Sequence, residues 1–97
     1  MAMAVKIIID RKVKKGKVPE FLKLLEELRR GAIAAKGYIS GETLQASDDP
    51  HNLIVVSTWH SVDAWKNWEK NPEREEIQAE IEKLMVRSTK MTIYENI

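Results

Sequence analysis

The order in which two hydrophobic periods alternate along the chain constrains its fold more than any other feature. Apolar residues at every second position predict strands, and apolar residues at every third or fourth position predict helices. The strand pattern covers residues 5–13, 38–46, 52–59 and 88–97, and the helical pattern covers residues 18–35 and the region from Ser61 to Leu84. The resulting βαββαβ order predicts a ferredoxin-like α+β fold, an antiparallel four-stranded sheet with helices on one face. We expect a single domain over residues 1–97, because a chain of this length supports one core.

Turn-forming and capping residues separate these segments. Gly37 is predicted to be the C-cap of the first helix. Ser61 and Asn71 are predicted to be the N-caps of two consecutive helical segments, and Pro72 suits the first position of the second one. Residues 47–50, Ser-Asp-Asp-Pro, predict a loop before the third strand.

Two strands are apolar on both faces. They contain Ile7-Ile8-Ile9 and Leu53-Ile54-Val55-Val56, and this topology makes both strands central. A sheet that helices cover on one face normally presents polar residues on the other. An open apolar face predicts a symmetric homodimer that packs sheet against sheet. The alternative is a monomer in which long Lys side chains cover the apolar strands.

Composition and charge exclude several classes of function. The 16 basic and 15 acidic residues give a net charge of +1, so we expect no nucleic-acid partner. The longest apolar run, residues 1–5, is far below the roughly 20 residues of a membrane span, and it does not resemble a signal peptide. We therefore expect a cytoplasmic protein without a membrane partner. The chain has no Cys, only His51 and His60, and no Gly-rich dinucleotide motif, so we expect no metal and no cofactor.

Several motifs together resemble one protein family. They are Gly37-Tyr38-Ile39-Ser40-Gly41-Glu42-Thr43-Leu44, Asp48-Asp49-Pro50, Ser57-Thr58-Trp59-His60-Ser61-Val62-Asp63-Ala64-Trp65, Asn67-Trp68 and Asn71-Pro72-Glu73-Arg74. Over about residues 5–94 the chain resembles the antibiotic biosynthesis monooxygenase domain family. The resemblance implies a dimeric α/β barrel with a small apolar pocket between the sheet and the helices of each subunit. It also implies a range of activities, because some members oxidise polycyclic hydroquinones with O2 and no cofactor, whereas others degrade haem.

The residues that the haem-degrading branch uses are mostly absent. That branch has an Asn on the first strand, a Trp, and a His on the last helix as the iron ligand. The matching positions here are Ile9, Trp68 and Gln78. Because Gln is a poor axial ligand for haem iron, we expect no haem degradation by that mechanism.

Three residues are candidates for catalysis. Trp68 can form the wall against which a flat quinol lies, as the resemblance implies. His60 can accept a phenolic proton near neutral pH, and Asn67 can orient an oxygen atom. The structural alternatives are a core Trp, an exposed His at the end of a strand and a surface Asn.

Three further residues are candidates for substrate binding. Trp65 adds an aromatic surface, Tyr38 can donate a hydrogen bond and Arg74 can hold an anion. Each also has a structural alternative: Trp65 can fix its helix to the sheet, Tyr38 is an ordinary strand residue, and Arg74 can pair with its helical neighbours.

The leading hypothesis is a cofactor-independent monooxygenase that acts on a small aromatic, quinol-type molecule. The alternative is a non-catalytic dimeric module, ligand-binding or stress-associated, that uses the same pocket. A third possibility is a structural dimer whose pocket is filled by its own Trp side chains. Fold and family by themselves do not distinguish these functions.

Overall fold

A four-stranded antiparallel sheet with strand order β2-β3-β1-β4 carries three helices in a computed structural model that describes residues 4–97. The elements are β1 (Val5–Lys12), α1 (Val18–Ala34), β2 (Tyr38–Ala46), β3 (Asp49–Trp59), α2 (Val62–Glu69), α3 (Pro72–Glu82) and β4 (Lys90–Glu95). This arrangement confirms the predicted ferredoxin-like α+β fold. The single domain predicted over residues 1–97 and the apolar run at residues 1–5 include residues 1–3, which lie outside the described part.

The two strands predicted to be central are central. Ile7 of β1 pairs with Ser57 of β3 on one side and with Ile93 of β4 on the other. The odd-numbered residues of β1 are buried under the helices, as their alternation predicts, and they include one charged residue, Arg11. The core therefore lies between one face of the sheet and the helices.

The third strand begins earlier than its pattern predicts. Asp49 and Pro50 belong to β3, so only Ser47 and Asp48 remain in the turn. Pro50 has no N–H to donate, but pairing with β1 ends at Asn52, so the proline lies where β3 has no neighbour on that side. The Asp49 carboxylate accepts a hydrogen bond from Lys12 Nζ at 2.7 Å, which ties this end of the hairpin to β1.

The predicted N-caps are confirmed. Ser61 Oγ accepts a hydrogen bond from the Ala64 amide at 3.1 Å, and Asn71 Oδ1 accepts one from the Glu73 amide at 2.9 Å. Gly37, by contrast, is not the C-cap of α1, because the helix ends at Ala34 and Ala35 is its C-cap. Gly37 has a φ of +91° in the turn that follows, a conformation that favours glycine.

Among residues 4–97, no helix covers the opposite face of the sheet. Its centre is apolar, because Ile8 pairs with Val56 and Leu44 pairs with Ile54 across adjacent strands. These four residues point to the face opposite the buried core, and we call them the open-face cluster. None of the helices in residues 4–97 is long and apolar enough to cross a membrane.

Candidate functional site

A cavity lies between the inner face of the sheet and the helices. Its volume is about 50 Å³, which accommodates a few water molecules and is smaller than the roughly 150 Å³ that holds a benzene ring. Its walls are mostly apolar, and all three helices and three of the strands contribute to them. Its inner wall includes Ile9, Leu25, Leu28, Val55, Ser57, Trp59, Trp65 and Trp68.

A row of aromatic rings forms one wall of the cavity. The ring of Tyr38 meets that of Trp59 edge to face, with centroids 5.3 Å apart and planes at 85°. Trp59 in turn meets Trp65 at 5.7 Å and 68°. The guanidinium carbon of Arg74 lies 5.1 Å from the centroid of Trp65 and ends the row. These edge-to-face and cation–π contacts fix the orientation of each group.

Trp68 separates the cavity from the outside of the molecule. Its side chain is only 5% exposed, and it contributes to the cavity on one side and to shallow outer grooves on the other. It packs against α1 at Gly31, where the absence of a side chain leaves room for the indole.

His60 and Asn67 lie outside the cavity. Both are exposed, and both line an outer groove together with Trp68. Asn67 points away from the core because Trp65 and Trp68, on the neighbouring positions of α2, occupy its inner face. The six candidate residues therefore form two sets: Tyr38, Trp65 and Arg74 line the cavity, His60 and Asn67 line the groove, and Trp68 belongs to both.

Arg11 is a cavity residue that was not selected from the sequence. It is 1% exposed, its Nη2 donates to Gln78 Oε1 at 2.7 Å, and its guanidinium lies 5.6 Å from the centroid of Phe21. Burial, with a smaller contribution from Arg74, lowers its pKa to about 10, although Glu82 opposes this shift. Arg11 is therefore cationic at neutral pH. The signal in the sequence was a charged residue at an inward position of β1.

Arg74 is the second buried cation of the cavity. It is 8% exposed, and burial lowers its pKa, while the negative charges of Glu69 and Glu75 raise it. Within residues 4–97, neither Arg74 nor Arg11 has a carboxylate close enough to form an ion pair. The sequence alternative that Arg74 pairs with helical neighbours therefore does not describe its contacts.

Some residues that line the cavity carry buried donors that lack an acceptor. In the described part of the chain, Nε and Nη1 of Arg11, Nε1 of Trp65 and Nε of Arg74 are buried without a hydrogen-bond partner. All three residues line the cavity. The remaining buried atom without a partner is an acceptor outside the cavity lining, Asn52 Oδ1. The site can thus receive a group that is rich in hydrogen-bond acceptors.

The outer end of the cavity lies between α1 and the edge strand β2. Arg29 of α1 donates from Nη2 to the carbonyl oxygen of Gly41 at 3.1 Å, in an exposed position. Glu42 and Thr43 continue the same rim. A Cβ at position 41 would lie 2.7 Å from the hydroxyl of Tyr38, so glycine allows this hydroxyl to approach the strand.

The described residues offer little for a metal or for haem. No group of three or more His, Asp or Glu side chains that could hold a metal ion occurs between residues 4 and 97. Ile9, at the position that the haem-degrading branch fills with Asn, is part of the cavity wall. Gln78, at the position of the iron ligand, accepts the hydrogen bond from Arg11 instead.

Comparisons with known proteins agree with the fold. The sequence model of the family described as "Antibiotic biosynthesis monooxygenase" matches residues 4–80. No curated protein matches the chain. Among solved structures, a conserved protein from Methanosarcina mazei Go1 has a TM-score of 0.93 at 21% identity, over 98% of this chain and 94% of the other.

Two further structures have the same architecture. SnoaB, a cofactor-independent oxygenase from Streptomyces nogalater, has a TM-score of 0.89 at 14% identity, over 99% of this chain and 95% of the other. Rv0793 from Mycobacterium tuberculosis has a TM-score of 0.88 at 17% identity, over 97% of this chain and 95% of the other. At these identities the likeness concerns the fold.

Proposed function

The chain belongs to the antibiotic biosynthesis monooxygenase family, and on this premise we propose that it is a cofactor-independent monooxygenase for a small aromatic, quinol-type substrate. The observation that carries the proposal is the cavity beneath the helices, one wall of which is a row of aromatic rings. Flat aromatic molecules pack well on such walls. SnoaB, a cofactor-independent oxygenase of the same fold, supports the choice of reaction class.

The proposed chemistry needs few protein groups. Triplet O2 reacts slowly with closed-shell molecules, but an ionised hydroquinone can transfer an electron to it. The substrate then gains one oxygen atom and loses two hydrogens, which leave with the second oxygen atom as water. The protein contributes by holding the ionised substrate beside O2 and by excluding water.

The cavity residues have distinct parts in this proposal. Trp68 and Trp65 form the surface on which the ring of the substrate lies, and Tyr38 supplies a hydroxyl beside it. His60 and Asn67 line the outer groove, so a proton-transfer part for His60 and an orienting part for Asn67 require a substrate on the groove side of Trp68.

Substrate entry requires the cavity to enlarge. A volume of about 50 Å³ does not hold a polycyclic ring system. We expect the cavity to open at the rim between Arg29 and Gly41, because one exposed hydrogen bond joins the two elements there. Such a bond contributes only about 0.5–1.5 kcal/mol net.

We also propose that the protein is a cytoplasmic homodimer that buries the open-face cluster. Two-fold symmetry would place this self-complementary apolar surface of one subunit against the same surface of the other. The dimeric barrel that the family resemblance implies supports this arrangement.

One observation favours a second candidate function, a non-catalytic ligand-binding module. The described cavity wall contains no His, and its carboxylate, Glu42, is exposed at the rim. A site without an evident general base can bind a molecule without transforming it.

Oxygen uptake by metal-free protein with a panel of reduced polycyclic quinols tests the proposal. We expect uptake above buffer, a loss in Trp68→Ala, and a lower rate in Tyr38→Phe than in its matched control Tyr94→Phe, which alters a half-exposed tyrosine away from the cavity. Saturable binding of the quinols without uptake would favour the binding module instead. A His60→Ala variant with a greater loss than Tyr38→Phe would place the substrate in the outer groove.

A further inference from the structure

We propose that Arg11, Arg74 and Trp65 form an oxyanion-binding site in the cavity, which holds the carboxylate or the ionised phenol oxygen of a small organic ligand. The inference rests on the proposed function only in using the same cavity, since an anion can bind there without being oxidised. It narrows the ligand class from aromatic molecules in general to those with an oxyanion.

The first support is the chemistry of the atoms without partners. Four such atoms belong to residues that line the cavity, and all four are N–H donors: two on Arg11, one on Trp65 and one on Arg74. A buried donor without an acceptor costs free energy, and a charged one costs more. Four such donors from three elements around one cavity are explained if the ligand supplies the acceptors.

The second support is charge. Arg11 and Arg74 both line the cavity and are close enough to affect each other electrostatically. The side chain that contacts Arg11 at 2.7 Å is the neutral amide of Gln78. Glu82 lies behind this amide, where it accepts a hydrogen bond from Gln78 Nε2 at 2.7 Å. Glu82, like Glu69 and Glu75 beside Arg74, is not part of the cavity lining. The carboxylate in the described lining is that of Glu42, which is exposed at the rim.

The third support is that the guanidinium groups are held in place before any ligand arrives. Arg11 lies against the ring of Phe21 and Arg74 lies against the ring of Trp65. Aromatic contacts of this kind restrict the planar guanidinium, so that its N–H groups keep their directions before an oxyanion binds. An oriented donor pair loses little entropy on binding.

The size and polarity of the cavity limit the ligand. About 50 Å³ accommodates the oxyanion group itself, and the remainder of the wall is mostly apolar. A ligand with one oxyanion on an apolar body fits this division better than a fully hydrated phosphate does. The body would extend towards the rim between Arg29 and Gly41.

The test uses two pairs of probes that differ in charge and hardly in shape: acetate with acetamide, and benzoate with benzamide. Binding to the wild-type protein is measured by calorimetry and by the rise in Tm that a ligand of the native state produces. We expect at least one carboxylate to bind at least tenfold more tightly than its amide. Equal affinity within both pairs, or no binding of either carboxylate, would overturn the proposal if the pKa of 4-nitrophenol is also unchanged by the protein.

The Arg74→Met variant tests whether the carboxylate binds in the cavity. Its matched control is Arg30→Met, on the exposed side of α1. We expect Arg74→Met to weaken carboxylate binding about tenfold or more, and Arg30→Met to leave it unchanged. Equal affinity in the two variants would place the bound anion elsewhere and overturn the proposal. Circular dichroism of each variant confirms that it is folded.

A titration of 4-nitrophenol distinguishes the two sources of the oxyanion. A lower pKa of the bound phenol, read from the absorbance of the phenolate, would identify an ionised phenol as a ligand. An unchanged pKa together with carboxylate binding would identify a carboxylate. Neither readout involves O2, so failure of the oxygenase proposal and failure of the anion site are separate results.

Discussion

The indole of Trp68 lies against the bare backbone of Gly31, so closely that a Cβ at position 31 would be 2.5 Å from Cη2 of the indole. This contact allows α2 to place Trp68 between the cavity and the outer groove. The position of the cavity wall therefore depends on a missing side chain in another helix.

Gly31→Ala is expected to destabilise the protein, although Ala is normally the better helix former by about 1 kcal/mol. The added methyl group would force Trp68 out of position, and overpacking of this kind costs about 1–3 kcal/mol. Urea unfolding measures the change. Because Trp68→Phe removes the atoms that the methyl group meets, it should cancel most of the loss in a double-mutant cycle. A more stable Gly31→Ala variant would show that the indole is not confined there.

Trp68→Phe alone should lower turnover of a quinol substrate severalfold, because the smaller ring leaves part of the substrate surface unsupported. The measurement is kcat/KM for oxygen uptake, with Tyr94→Phe as the control for a conservative aromatic change outside the cavity. Kinetics identical to wild type would remove Trp68 from the site.

Arg74→Met should not reduce the free energy of unfolding and should raise it by about 1 kcal/mol, because it removes a buried cation that has no ion-pair partner in residues 4–97. If Arg74 serves ligand binding, its replacement should increase the stability of the protein and decrease its affinity for the ligand. Denaturant unfolding of Arg74→Met beside the exposed Arg30→Met measures it. A clear loss in Arg74→Met alone would indicate a structural arginine.

The hydrogen bonds of Asp49 should make the stability of the protein depend on pH in the acidic range. Hydrogen bonds from Lys12 Nζ and from the His51 amide hold its pKa below the ordinary value of 3.8. The stabilisation is therefore fully present above pH 3.8 and is lost as the pH falls through the lower pKa of the folded state. The Tm difference between wild type and Asp49→Asn should be greatest at neutral pH and disappear in acid. The neighbouring Asp48→Asn is the control, and a Tm gap that persists in acid would contradict this assignment.

Val56→Lys should convert the proposed dimer into a monomer. The substitution places a charge at the centre of the open-face cluster, next to Ile8, where burial against a second subunit would be costly. Light scattering after gel filtration measures the mass, and Ala79→Lys on the exposed surface of α3 is the control. A wild-type protein that is monomeric at all concentrations would contradict the dimer directly.

The sequence by itself determined the order of the elements, the two central strands and the helix N-caps at Ser61 and Asn71. Each depends on periodicity or on side chains a few residues away, so a linear pattern records it. The alternation along β1 also predicted that Arg11 points inward. It did not indicate that Arg11 is a cation in the wall of the cavity.

Only the tertiary structure decided which of these residues share a site. It brings Arg11 and Arg74 to one cavity and leaves His60 and Asn67 on the other side of Trp68. The physical reason is that such proximity depends on strand register and on how closely the helices approach the sheet and one another. That approach is set by distant contacts such as the one between Gly31 and Trp68, which no local pattern contains.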